Sequence, residues 1–118
     1  FEKNIFKSYK VSKRFDDDIS SVCAAFNLEI IKNKIEVIRI AYGGMAAIPK
    51  RAKFCEKILL NSFINEETIE KAKEALEKDF KPISDMRASG LYRMEVAKNL
   101  LEKCCAEIKK KKTIGLYA

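Results

Sequence analysis

The strongest constraint in this sequence is a stretch of period-two alternation between residues 22 and 42. Val22, Ala24, Phe26, Leu28 and Ile30 alternate with Cys23, Ala25, Asn27, Glu29 and Ile31. Side chains of a strand point alternately to its two faces, so this pattern predicts a strand over 22–31. Lys32-Asn33-Lys34 follows as a tight turn, with Asn33 suited to a positive φ. Ile35 to Tyr42 is then a second strand, and the pair makes a hairpin. Gly43-Gly44 ends it.

The spacing changes after Pro49. Ala52, Cys55, Ile58 and Leu59 share a helical face. A second helix is predicted from Glu66 to Phe80. Asn65 is its N-cap, Glu66 and Glu67 favour the positive end of its dipole, and Ile69, Ala72, Leu76 and Phe80 form its buried stripe. Lys81-Pro82 stops that helix. Ser84 or Asp85 caps a longer one from Met86 to Lys111, with Leu91, Met94, Ala97, Leu101, Cys104, Cys105 and Ile108 facing inward. Ahead of the hairpin, residues 1–18 read as a short extended segment around Lys7 to Val11 and then an ordered loop ending in Asp16-Asp17-Asp18. Strands first and helices after predict an α+β fold, an antiparallel sheet of three or more strands with three helices packed on one face.

Length suits one domain, 1–118, and 47% hydrophobic with 35% charged residues is a globular composition. The net charge of +7 could attract nucleic acid, anionic lipid, an acidic partner domain or a phosphate-bearing cofactor. The run Lys109 to Lys112 reads as a solvated helix end. With no histidine and no C-x-x-C pair among Cys23, Cys55, Cys104 and Cys105, a zinc site is not expected. Free cysteines suit a reducing cytoplasm, and no apolar run is long enough for a membrane span. The chain opens with Phe1 rather than Met, so a fragment or a processed piece is expected.

Three clusters invite a chemical reading. Lys10 to Asp18 offers three consecutive carboxylates, but not the spaced ligands of a calcium loop. It reads as a solvated loop, as a run paired with nearby Lys13 and Arg14, or as a charged loop tuning a nearby cofactor. Tyr42-Gly43-Gly44-Met45-Ala46 reads as a structural turn or a weak phosphate loop. Ser84 to Ser89, followed by Tyr92 and Arg93, reads as a helix-start lock. Without histidine, serine and aspartate do not make the usual nucleophile triad.

These clusters, in this order, resemble the C-terminal domain of bacterial xanthine dehydrogenase FAD subunits. Tyr9 to Ser20 with Val22 to Phe26 resembles its start. Tyr42 to Ala46 with Pro49 to Ala52 resembles its second strand and loop. Asp79 to Ser89, with Tyr92-Arg93 and Val96 to Leu101, resembles its last helix. The likeness spans residues 5–103. The related carbon monoxide dehydrogenase flavoprotein domain shares the architecture, and Asp85 to Ser89 looks closer to the xanthine branch. Ala47-Ile48 and Gly90 depart from the pattern, and Gly90 should weaken its helix by up to about 1 kcal/mol relative to Ala.

The resemblance implies that this domain follows a larger FAD-binding domain and is not catalytic alone. It implies partners carrying two [2Fe-2S] clusters and a molybdopterin centre, where a purine is hydroxylated, with electrons passing through FAD to NAD. It implies cofactor-binding roles for Lys10, which approaches the flavin ring, and for Arg14 and Asp17 in the charged loop. No nucleic acid and no membrane partner is expected. A dimerisation module and a basic nucleic-acid-binding domain are the rival readings.

Overall fold

The computed structural model describes residues 2–15, 18–46, 48–80 and 87–113. The order is β1 (Glu2–Phe15), β2 (Asp18–Ile31), β3 (Lys34–Gly43), β4 (Lys50–Arg51), α1 (Lys53–Leu59), α2 (Glu66–Asp79) and α3 (Arg87–Thr113). The strands form one antiparallel sheet in the order β1-β2-β3-β4. The expected α+β sandwich is therefore present. Among the described residues, no helix is long and apolar enough to cross a membrane.

The predicted hairpin is β2 and β3. Lys32 and Asn33 both take positive φ, 51° and 69°, which matches the right-handed twist of the flanking strands in a two-residue turn. The register shifts between Glu29 and Ile30, where Ile30 faces Ile35 but Glu29 faces Val37. Glu36 is thus the extra residue of a bulge on β3. Glu36 and Val37 are both exposed, which lets Ile35 point inward together with Ile38, Ile40 and Tyr42.

The segment before the hairpin departs from expectation. In place of a short extended piece and a loop, β1 is a full strand of 14 residues, paired with β2 from Glu2↔Ile31 to Phe15↔Asp18. Its alternation is real but disguised. Ile5 is buried and Tyr9 and Val11 pack against the core, while Asn4, Phe6, Ser8, Lys10 and Ser12 face out. Lys7 lies on the inner parity, and its amino group reaches Glu107 at 3.9 Å.

On the inner face α3 packs against β2 and β1 and α1 against β3, while α2 packs against α1 and α3, and the core sits between the layers. Tyr42 is fully buried at its centre, edge-on to Phe26 at 6.1 Å and to Phe80 at 5.6 Å. Its hydroxyl donates to the Ala97 carbonyl at 2.8 Å and ties β3 to α3. Asn65 caps α2 as predicted, accepting from the Thr68 amide at 2.8 Å, and Ile69, Ala72, Leu76 and Phe80 are buried. On α3, Met94, Ala97, Leu101, Cys104, Cys105 and Ile108 are buried, but Leu91 is 66% exposed. Val96 and Leu100 complete the stripe instead. Ile58 on α1 is also largely outward. The predicted cap at Ser84 or Asp85 lies outside the described residues.

Candidate functional site

The outer face of the sheet is open: Phe6, Asn27, Val37 and Arg39, which point away from the core, are all exposed. Strand parity decides what stands there. Because Tyr9 and Val11 point into the core, Ser8, Lys10 and Ser12 must point out. Register then builds two rows across three strands. Ser8 lies beside Ala25, which lies beside Ala41, and Lys10 lies beside Cys23, which lies beside Gly43. These six residues and Pro49, with Tyr9, Ala24 and Tyr42 whose side chains point into the core, line a shallow open trough of about 610 Å³. Its floor is made of small residues, with no side chain longer than Cys23 between Lys10 and the β3 edge. A side chain on Gly43 would start 3.8 Å from the Cys23 Cβ and rise into the same space. Lys10 is exposed at the rim, so the trough combines a nearly flat apolar floor with one flexible cation.

The end of the trough is held by backbone contact. Gly44 has φ 87°, and a Cβ there would stand 2.0 Å from the Ser21 carbonyl oxygen. No other residue fits without moving β2. Arg93 of α3 donates to the Gly44 carbonyl at 2.7 Å. Ser12 and Ser21 share a hydrogen bond of 2.8 Å between their hydroxyls. The Tyr42-Gly43-Gly44 cluster therefore acts in the fold as a close-approach turn tied to the last helix.

The three residues given cofactor roles by the family resemblance are not equally placed. Lys10 sits at the trough, on a strand rather than in a loop, because the alternation of β1 continues through it. Arg14 lies further along β1, paired with Ile19. Asp17 lies outside the described residues.

Two buried carboxylates were not legible in advance. Glu56 accepts from the Ile40 amide at 2.8 Å and from Arg51 at 2.7 and 3.0 Å. Asp79 accepts from the amides of Phe54 and Cys55 at 2.8 and 3.0 Å. With their oxygens committed to the fold, neither is poised as an acid or base. Burial pushes the Cys55 and Cys104 thiols well up and Cys105 up to about 12, so these thiols are inert hydrophobes at neutral pH. Among the described residues, no group of three or more Cys, Asp or Glu is arranged to hold a metal ion. What remains as a candidate contact surface is the trough.

Residues 7–108 match the CO dehydrogenase flavoprotein C-terminal domain, and the chain belongs to that family. It is 35% identical over 107 residues to the glyceraldehyde dehydrogenase medium chain of Sulfolobus acidocaldarius, a match covering 90% of this chain and 37% of that protein. It is 27% identical over 99 residues to the xanthine dehydrogenase FAD-binding subunit of Escherichia coli, covering 84% of this chain and 34% of that one. Among solved structures, quinoline 2-oxidoreductase from Pseudomonas putida 86 superimposes with a TM-score of 0.70 at 23% identity, over 88% of this chain and 36% of that one. CO dehydrogenase from Oligotropha carboxidovorans gives 0.67 at 22% identity, over 86% and 35%. The structural likenesses share the fold. The chain spans about a third of the length of the curated relatives named here.

Proposed function

We propose that this chain is the C-terminal domain of the FAD subunit of a xanthine dehydrogenase-type molybdenum hydroxylase, packing beside the flavin while electrons from purine oxidation pass to NAD. The preceding FAD-binding domain holds most of the cofactor. Iron-sulfur and molybdopterin domains or subunits complete the enzyme, and this domain alone catalyses nothing.

The observation that carries the reading is the position of Lys10 at the rim of the small-residue trough. A floor of Ala25, Ala41 and Gly43 suits the face or edge of a planar ring system, because nothing bulky rises from it. FAD, when bound, accepts electrons from one redox partner and passes them to another. Reduction places negative charge on the ring, and a lysine ammonium near it in a partly desolvated interface favours that charge. Lys10 thus raises the flavin potential without taking part in bond making. Arg14, further along β1 than Lys10, and Asp17 adjust the local field and the access of the nicotinamide.

Removing Lys10 tests this. In the complete FAD-containing enzyme, Lys10→Ala should perturb the flavin spectrum and lower its reduction potential. An unchanged spectrum, potential and NAD turnover would overturn the role. The identity to a glyceraldehyde dehydrogenase medium chain favours a second reading of the substrate, an aldehyde instead of a purine. Turnover of xanthine or hypoxanthine against glyceraldehyde by the whole enzyme separates the two.

A further inference from the structure

The side chain next to Lys10 is gripped by the helical layer. Tyr9 and Lys10 are neighbours in β1 and point to opposite faces, with Cα atoms about 3.8 Å apart. Whatever fixes Tyr9 therefore fixes the root of Lys10. The Tyr9 ring is edge-on to Phe26 at 6.0 Å, and the Lys103 amino group lies 5.3 Å from its centroid. Its hydroxyl donates to the Glu107 carboxylate. The same carboxylate lies 3.9 Å from the amino group of Lys7, the inward residue two positions earlier. Two inward side chains of one strand thus converge on one acid of α3.

The location gives this contact its importance. β1 is an edge strand, laddered only to β2. β3 pairs with β2 from Ile31 only as far as Cys23. The Lys10–Cys23–Gly43 row is therefore the last with three strands. Beyond it the sheet narrows to a two-stranded ribbon, an arrangement that is marginal by itself. Lys10 stands at this transition, where cross-strand support is running out. Exposed and half-exposed ion pairs contribute little to stability, so the Lys7–Glu107 pair is not a strong brace for the fold.

We infer that the Tyr9–Glu107 hydrogen bond is a positioning device for Lys10, which makes Tyr9 and Glu107 determinants of flavin potential although neither faces the trough. This rests on the proposed role of Lys10. Loss of the bond lets β1 shift at its last supported row and moves the ammonium away from the ring.

The test is a double-mutant cycle read by the reduction potential of FAD in the complete enzyme. Tyr9→Phe should lower the potential in the same direction as Lys10→Ala and by a smaller amount. Glu107→Gln keeps a neutral acceptor for the Tyr9 hydroxyl, a weaker one, so it should lower the potential by less than Tyr9→Phe. Combined with Lys10→Ala, either should add no further shift, because there is no longer an ammonium to place. A merely structural bond would not give this dependence on Lys10. If Lys10→Ala lowers the potential and neither Tyr9→Phe nor Glu107→Gln does, or if their shifts add in full to that of Lys10→Ala, the positioning role is overturned and the site reading survives. If Lys10→Ala itself leaves the potential unchanged, both fall.

Discussion

The carboxylate of Glu56 accepts the backbone hydrogen of Ile40 at 2.8 Å, so a helix side chain closes the edge of the sheet. β4 covers β3 only at Ala41 and Tyr42, through Arg51 and Lys50. Ile40 is the next residue along that edge. Its carbonyl is taken by the Ala52 amide at 2.8 Å, and its amide has the Glu56 oxygen. Arg51 neutralises the same carboxylate through two hydrogen bonds.

Removing this acid should therefore cost more than a surface charge. Glu56→Ala strands a buried amide donor and leaves Arg51 without its partner, a loss of roughly 2–4 kcal/mol. Glu56→Gln keeps an acceptor for Ile40 and should lose about half as much. Urea denaturation of the two variants beside the parent checks the order. Equal midpoints for all three would show that the edge is satisfied in another way.

Asp79 supports the neighbouring helix from outside it. The N-cap position of α1 is Ala52, which has no side chain to cap with. The Asp79 carboxylate, at the end of α2, takes the first free amides at Phe54 and Cys55 instead. Lys50 donates to the Asp79 carbonyl at 3.0 Å and lies 5.5 Å from the Phe80 ring, drawing the same corner together. Asp79→Ala should destabilise the chain by about 1–2 kcal/mol, as the loss of an N-cap does. Asp79→Asn should retain part of that, since one oxygen still accepts. Hydrogen exchange should show faster opening of the Phe54 and Cys55 amides in both variants.

How far these features could be read in advance depends on the distance over which they are encoded. The β2–β3 hairpin and α2 were legible, because alternation, the Lys32-Asn33 turn and the Asn65 cap are local. β1 was underestimated. As an edge strand it buries little, and the exposed Phe6 and inward Lys7 reverse the usual polarity of its two faces. The bulge at Glu36 left a readable trace in Ile35, Ile38 and Ile40, where one gap is three residues and the next two. The spacing of Leu91 predicts it inside, yet it precedes the part of α3 where Met94, Val96 and Ala97 meet the core, and it is exposed. Glu56 and Asp79 gave no local signal of burial: Arg51 is five residues from Glu56, but the backbone amides they accept from are 16 and about 25 residues away. The family resemblance points to Lys10, and the structure adds only that it borders the trough, whose small floor of Ala25, Ala41 and Gly43 needs the register to be seen.

Gly44 should not tolerate a side chain. Gly44→Ala must adopt a φ that L-residues resist, which costs roughly 1–3 kcal/mol, and its Cβ meets the Ser21 carbonyl at 2.0 Å. β2 must move away from the loop, and Arg93 must follow the Gly44 carbonyl. The expected result is a lower thermal midpoint and, on the proposed flavin contact, altered flavin fluorescence in the complete enzyme, because the disturbance lies at the end of the trough. Gly43→Ala is the control. Its Cβ contacts are of ordinary length, so its effect should fall on the trough and leave stability almost unchanged.

The cysteines give a pH dependence of defined sign. Cys55, Cys104 and Cys105 are buried, and burial raises all three thiols, Cys105 to about 12 despite the opposing influence of Lys109. In the unfolded chain they ionise near the ordinary value of about 8.5. Above that value the unfolded state releases protons that the folded state keeps, so unfolding becomes more favourable. The contribution of these thiols to stability is thus fully present below about pH 8 and declines as pH rises from about 8.5 towards 12. Cys23 is exposed on the trough. A maleimide added to the native chain at neutral pH should therefore modify Cys23 first, and the other three only as urea unfolds it. Denaturation midpoints should fall between pH 8 and 10. Replacing Cys55 and Cys105 by Ala should flatten that fall even as it lowers stability at pH 7, and a slope unchanged by both substitutions would assign the pH dependence to other groups.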